Sequence, residues 1–241
     1  MISDNKKKIN IQVIDEDQIL YEDNHIIVVN KKFSEIVQGD KTGDIPLSEK
    51  VKNYLKIKYN KTGNVFIGVP HRLDRPVSGI IIFTKTSKAL SRISKMFFEH
   101  SIRKKYLAVV EAKPPKDKDF LIHFLKKNEK LNKSFIVQPN VKGASEAKLF
   151  YCVKAVSKNY YLLEVELFTG KHHQIRAQLA AIGCPIKGDV KYGARRCNKN
   201  ASIYLHSYYV YFEHPIHVGK IVEIKAPPPD ETLWNYFKLF L

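Results

Sequence analysis

The residues best suited to chemistry are HRLDR at 71–75, which set Asp74 among Arg72 and Arg75. Nearby cations favour the charged form of a carboxyl group. A carboxylate kept ionised suits nucleophilic attack or charge stabilisation. It suits general-acid work poorly, because a general acid needs a raised pKa. The cluster lies between Pro70 and Pro76, just ahead of Gly79 and a long apolar run. Loops anchored to core strands are where catalytic groups tend to sit. The same spacing also fits a local Arg–Asp pair that only ties the loop down, so two readings stand at this point.

Two further clusters carry polar chemistry. TGKHHQIR at 169–176 falls between a predicted strand and a predicted helix. Free N–H groups at a helix start, with Lys171, His172 and His173 beside them, would welcome a phosphate. A plain helix cap explains the same residues. Consecutive histidines project to different sides of a helix, which argues against a metal pair. The third cluster is Lys104-Lys105-Tyr106 at the head of a strand. A tyrosine there can stack on a base while lysines hold phosphates. It can equally be a core tyrosine.

The chain as a whole points to a polyanionic partner. Its 241 residues carry 41 Lys and Arg against 24 Asp and Glu, a net charge of +17. Such an excess attracts nucleic acid and speeds the encounter. Hydrophobic residues make up 44%, enough for an ordinary globular core. No apolar run approaches the roughly 20 residues that span a bilayer. No secretory h-region follows the basic start, so a cytoplasmic protein is expected. Cys152, Cys184 and Cys197 form neither a disulfide framework nor a zinc motif and are expected as free thiols.

The elements that must position these clusters alternate in period. Residues 19–30 predict two short strands around an Asp-Asn turn, and 79–84 (GIIIFT) a buried strand. Residues 45–59 and 87–100 have helical spacing, the second with Ser87 as its N-cap. Strands are expected at 105–111, 146–156, 160–167, 201–213 and 220–225. Helices are expected at 173–183, with Gly183 past its end, and at 233–241. Residues 113–142, lysine-rich with Pro114-Pro115, read as a basic hairpin or excursion from the core. Strands in adjacent runs argue for an α+β protein with a mixed, largely antiparallel sheet.

Taken together, HRLDRPVSG at 71–79, RKKYLAVVE at 103–111 and TGKHHQIRAQLAAIGCPIKGDVKYG at 169–193 resemble the RluA-type family of pseudouridine synthases. YEDNHIIVVNKK at 21–32 and LHSYYVYFEHPI at 205–216 add to the likeness, which spans residues 20–225 in the family's order. The resemblance implies an α+β fold with a central catalytic cleft, no cofactor and no metal. It implies a uridine isomerase acting on structured RNA, ribosomal RNA ahead of transfer RNA. In such a reaction uracil leaves C1′, turns, and rejoins through C5. Asp74 matches the family's catalytic carboxylate and Arg176 the arginine paired with it. Tyr106 matches the tyrosine that stacks on uracil, and Arg72 the residue that fills the gap left by the flipped base. His173 and Lys171 are expected to contact substrate.

Departures from the pattern bear on details. Lys32-Phe33-Ser34 stands where Pro-Ala-Gly is usual, Gln178 where a histidine is common, and Lys171 where arginine is frequent. Relatives often carry a small N-terminal RNA-binding domain. Here residues 1–18 read as a basic arm and 19–241 as one catalytic domain, so RNA is expected to be gripped by the domain itself. The lysines at 126, 127 and 130 and the loop 187–199 are the expected grips. The protein is expected to be a monomer. A non-catalytic RNA-binding or chaperone role on the same fold is the alternative, and a base-releasing glycosylase a more distant one.

Overall fold

The computed structural model describes residues 12–240. The segment 1–10, expected to be a loose arm, lies outside the described residues. The arm does not extend to residue 18: Ile14 is buried, and buried Gln18 donates to the Asn30 carbonyl and to Glu35.

β1 (Ile19–Glu22) and β2 (Ile26–Lys31) form the predicted hairpin. Its turn works as Asx chemistry dictates, with Asp23 Oδ1 accepting from the amides of His25 and Ile26. β3 (Ser78–Thr84) is buried along its whole length. Its side chains serve two layers. Ile81 and Phe83 meet α1 (Leu47–Lys58) through Leu47, Val51 and Leu55. Ile80 and Ile82 meet α2 (Ser87–Phe98) through Ala89 and Ile93. Full burial of an isoleucine or phenylalanine contributes about 1.5–3 kcal/mol, so this strand anchors whatever precedes it. α2 is capped by Thr86, whose hydroxyl accepts from the Ala89 amide, and Ser87 is the first helical residue rather than the cap. Residues 65–69 join β3 by a bridge between Gly68 and Thr84, and Val65 shares a core cluster with Ile81 and Phe83.

The remaining strands are β4 (Arg103–Val110), β5 (Lys118–Asn128), β6 (Lys133–Val137), β7 (Ser145–Val156), β8 (Tyr161–Leu167), β9 (Leu205–Glu213) and β10 (Ile221–Lys225). α3 (Gln174–Ala181) and α4 (Thr232–Lys238) complete the described elements named here. The strands make one mixed sheet in the order β1-β2-β3-β9-β4-β8-β7-β5-β6, with β10 beside β9. Every pairing is antiparallel except β3 with β9. This is the α+β, largely antiparallel architecture expected from the sequence.

Of the two readings of the lysine-rich stretch the hairpin holds, since β5 and β6 pair antiparallel, and it is part of the main sheet. β5 pairs with β7 over eight residues, and Leu121 and Leu125 turn inward while Phe120, Ile122 and Lys126 turn out. Period-2 burial makes it a sheet member despite its lysines.

The parallel pairing of β3 and β9 is short, Ser78 opposite His206 and Gly79 opposite Ser207. It joins the two halves of the sheet. Gly79 has φ +113, and a Cβ there would collide with the Ser207 backbone. Only glycine allows this approach. Beside it Ser78 Oγ lies 2.9 Å from His206 Nδ1, and His206 Nε2 lies 3.2 Å from the Ala226 carbonyl. The loop holding Asp74 runs directly into this seam.

Candidate active site

The loop that carries Asp74 is held through its backbone carbonyls. Lys31 is fully buried, and its ammonium donates to the carbonyls of Lys32, Arg75 and Val77 at 3.0, 3.2 and 2.6 Å. Burial drives its pKa down to about 7, against the pull of the Glu35 and Asp74 charges. The Ser34 amide also donates to the Arg75 carbonyl, at 2.9 Å. The unusual Lys32-Phe33-Ser34 segment thus still braces the loop. His71 Nε2 accepts from the Ile82 amide at 2.8 Å, filling a ladder position that β9 does not reach.

The two nearby arginines do not pair with Asp74. Arg75 turns to the 40–44 loop, 2.6 Å from Asp44 and 3.3 Å from Asp40. Arg72 is exposed on the cleft wall. Neighbouring residues of an extended loop project in different directions, so sequence proximity did not make an ion pair. The partner is Arg176, whose Nη1 donates to Asp74 Oδ2 at 2.8 Å. The same guanidinium forks onto Asp189, Nε to Oδ2 at 2.7 Å and Nη2 to Oδ1 at 2.8 Å. Asp189 is 1% exposed. Burial opposes the charge on Arg176, but its bonds to Asp189 and Asp74 outweigh that and raise its pKa. A planar fork that spans two carboxylates is a task for arginine rather than lysine.

His173 occupies the left-handed region, φ 54, just before α3. Its Nε2 lies 3.3 Å from Asp74 Oδ2, and its Nδ1 2.9 Å from the Tyr192 hydroxyl. Tyr192 takes the Ser134 amide at 2.9 Å. The Tyr192 hydroxyl has one proton for two acceptors, the Ser134 carbonyl at 3.2 Å and His173 Nδ1; when it goes to Nδ1, Nε2–H faces Asp74. Burial drives the His173 pKa down to about 3 despite the Asp74 charge, so the ring is neutral. His172 stacks on it, centroids 3.8 Å apart, and reaches Ser134. The two rings lie side by side because they precede the helix instead of sitting in it. The Lys171 amide is not free for a phosphate: Gln174 Oε1 accepts it at 2.9 Å and the Thr169 hydroxyl at 2.8 Å. For that amide the capping reading holds.

Tyr106 satisfies both sequence readings. It is 9% exposed and belongs to the main core cluster, yet it walls the pocket. Burial pushes its hydroxyl up to about 12. Arg72, Asp74, Tyr106, Lys171, His173 and Arg176 all line one pocket of about 90 Å³. It opens into a cleft of about 570 Å³ walled by Lys127, Asn132, His172, Lys191 and the 36–40 loop. Gln178 is elsewhere, tying α3 to the carbonyls of Leu121 and Ala147. Sequence reasoning missed Lys31, Asp189 and Tyr192. Asp189 and Tyr192 lie inside the segment that carried the resemblance, but nothing in their spacing marked them as partners of Arg176 and His173.

Three histidines here must stay neutral: His71 and His173, both driven to about 3, and His206, to about 4, in each case chiefly by burial. An unfolded histidine titrates near 6.5. The unfolded chain therefore binds more protons below that pH, and stability falls as pH drops from about 6.5 toward 4. The slope is at most about 1.4 kcal/mol per pH unit for each histidine. Denaturant titrations at pH 7, 6 and 5 are expected to show a progressive loss. A flat profile would mean that the rings are not held uncharged.

Among the described residues no group of three or more His, Cys, Asp or Glu side chains is arranged to hold a metal, and no helix is long and apolar enough to cross a membrane. The family model described as RNA pseudouridylate synthase matches residues 25–181. A ribosomal large subunit pseudouridine synthase C of Buchnera aphidicola subsp. Baizongia pistaciae is 31% identical over 93% of this chain and 72% of its own. The protein of the same name from Rickettsia prowazekii is 29% identical over 88% of this chain and 68% of its own. The solved structure of human RNA pseudouridylate synthase domain containing 4 superposes with a TM-score of 0.77, covering 92% of this chain and 93% of that one; at 19% identity it shows the fold. Sequence match and fold agree, and the chain belongs to the RNA pseudouridylate synthase family, in its RluA-type branch, as an enzyme that converts uridine in RNA to pseudouridine.

Proposed function

We propose that this chain isomerises uridines of large-subunit ribosomal RNA, with Asp74 as the catalytic carboxylate. The observation that carries the residue assignment is the pocket itself: Asp74 is held by Arg176 at 2.8 Å in the same 90 Å³ space that Tyr106 walls. The choice of RNA follows the names of the relatives. Tyr106 offers a face for the uracil, and exposed Arg72 at the mouth can occupy the gap in the helix once the base is out. Neutral His173 positions Asp74 rather than supplying a proton. Attack at C1′, attack at C6, or removal of the 2′ proton toward a glycal each need this carboxylate beside the ribose. Since the detached uracil is recaptured in place, the reaction needs no cofactor and no metal.

The grip on RNA comes from the cleft walls. Lys127 and Lys191 line the cleft; Lys126 does not, because neighbouring residues of β5 face opposite sides, and Lys130 lies in the turn beyond the strand. The loop 187–199 continues from the cleft into a second concavity of about 510 Å³ lined by Lys113, Lys158, Arg195 and Arg196. Its charge suits a further stretch of phosphate backbone.

The test is pseudouridine mapping of total RNA from cells with the chain, without it, and with it restored. One or more sites in large-subunit RNA are expected to vanish and return. If all sites persist without the chain, either a second enzyme covers the same uridines or the fold serves binding alone, and conversion by the purified chain separates the two. If the lost sites lie only in transfer RNA, the substrate assignment is wrong.

A further inference from the structure

Three basic residues in a row open β4, and only one lacks a carboxylate. Arg103 pairs with Glu166, and Lys105 with Glu164 at 2.9 Å. Both pairs lie on one face of the sheet, since residues 103 and 105 share a side of the strand. Lys104 points to the other side, the side of Tyr106. It is 8% exposed. Among the described residues its ammonium makes no hydrogen bond and no ion pair. It lies over the Phe97 ring, 5.5 Å from the centroid. A ring face attracts the charge but satisfies no N–H donor.

Its Nζ is not among the sealed, unsatisfied side-chain atoms, so solvent reaches it and an incoming acceptor can too. The surroundings supply only more positive charge. Lys171 is exposed and unpaired among the described residues, and both lysines depress the pKa of His100 after burial does. Lys104 also lowers that of His71, again second to burial. Burial alone pulls down the Lys104 pKa, with no carboxylate acting on it.

The place of this charge is informative. Leu167, directly across the strand from Lys104, lines the Asp74 pocket, as do Tyr106 and Lys171. Gly170 leaves room above the ammonium: a Cβ there would stand 3.8 Å from Nζ. Residues two apart on a strand are separated by roughly 6.6 Å. Lys104 thus lies about one side-chain spacing from the tyrosine, beneath the pocket rim.

We propose that Lys104, together with Lys171, is a phosphodiester-binding site that holds the RNA strand beside the target uridine. The location relative to uridine rests on the reading of the Asp74–Tyr106 pocket as the uridine site. A phosphodiester brings the acceptor oxygens that the ammonium lacks. It also offsets the cluster of positive charge, at a point where the strand must be steadied while one nucleotide is out of the stack.

The test uses the full chain carrying Asp74→Asn, so that binding is read without turnover, and a ten-nucleotide oligouridylate as probe. Affinity is measured across a salt series. Lys104→Met is expected to weaken binding about tenfold at low salt and to reduce the slope of log affinity against log salt by about 0.7, the value for one phosphate on a single strand. Lys104→Arg is expected to restore most of both. Lys104→Met is expected to leave the Tm near native, since the ammonium makes no hydrogen bond or ion pair among the described residues. An unchanged slope, or a lowered Tm with RNA affinity retained, would overturn the site and make Lys104 structural. Tyr106→Ala in the same series separates the two ideas. It is expected to weaken binding without changing the slope. If Lys104 alters the slope while Tyr106→Ala does nothing, the phosphate site stands and its placement beside the uridine fails.

Discussion

Asp74→Asn is expected to abolish pseudouridine formation while leaving the fold and the RNA affinity near native. The substitution keeps size and leaves a carbonyl oxygen to accept from Arg176, which now donates at 2.8 Å. It removes the negative charge and the nucleophilic oxygen. If that carboxylate attacks carbon or takes a proton in the rate-limiting step, no neighbour can replace it. His173 is neutral and 3.3 Å away from the oxygen that would be lost. Asp189 is held by the fork of Arg176 and is 1% exposed. A loss of an obligatory group is worth on the order of 10⁴-fold or more in rate, which corresponds to over about 5 kcal/mol. The measurement is conversion of a mapped uridine in purified RNA under single-turnover conditions, with binding measured alongside. Removing a negative charge from a site that faces a polyanion should not weaken affinity, so binding within about threefold of native is expected. Residual activity above about 1% would sink the assignment of Asp74.

Which parts of this site were legible in advance follows from how local each signal is. The β3 strand and its two helices could be read from β-branched runs and apolar spacing, because burial on both faces leaves a mark in every residue. The loop 71–79 could be read as a chemical cluster, but its pairing could not. An aspartate near two arginines looked like a local ion pair. The actual partner is 102 residues away. No periodicity records a contact at that separation, and Arg176 entered only through the family resemblance. Asp189 shows the same limit at 13 residues, since an ion pair across a helix–loop boundary has no fixed spacing. Lys31 failed for a different reason. Lysine is read as exposed by default, and here three loop carbonyls replace its water. The β5–β6 hairpin was readable, but its place in the main sheet was not, because its lysines drew more notice than Leu121 and Leu125 between them.

Arg176→Lys is expected to cost both activity and stability, and the two losses have separable causes. The guanidinium is 6% exposed and makes three short bonds to two carboxylates. A single ammonium cannot reproduce that span. If it stays on Asp189, Asp74 loses the donor that places it, and the rate is expected to fall by about 10²–10³-fold, the usual effect of misplacing a reacting group. If it moves to Asp74, Asp189 is left buried without its partner. Breaking a buried pair costs about 3–5 kcal/mol when one partner is removed outright, and a lysine that still reaches one carboxylate should lose less, about 2–3 kcal/mol. For a chain of this length each kcal/mol moves the Tm by roughly 2–4 °C. Asp189→Asn divides the two effects. It keeps a neutral acceptor for one arm of the fork and leaves the Asp74 arm in place, so activity should fall less than in Arg176→Lys at a comparable loss of stability. Single-turnover rates and denaturant melts of both variants decide the matter. If Arg176→Lys retains activity within tenfold of native while losing stability, the arginine is there to bury Asp189, and the placement of Asp74 depends instead on the loop carbonyls held by Lys31.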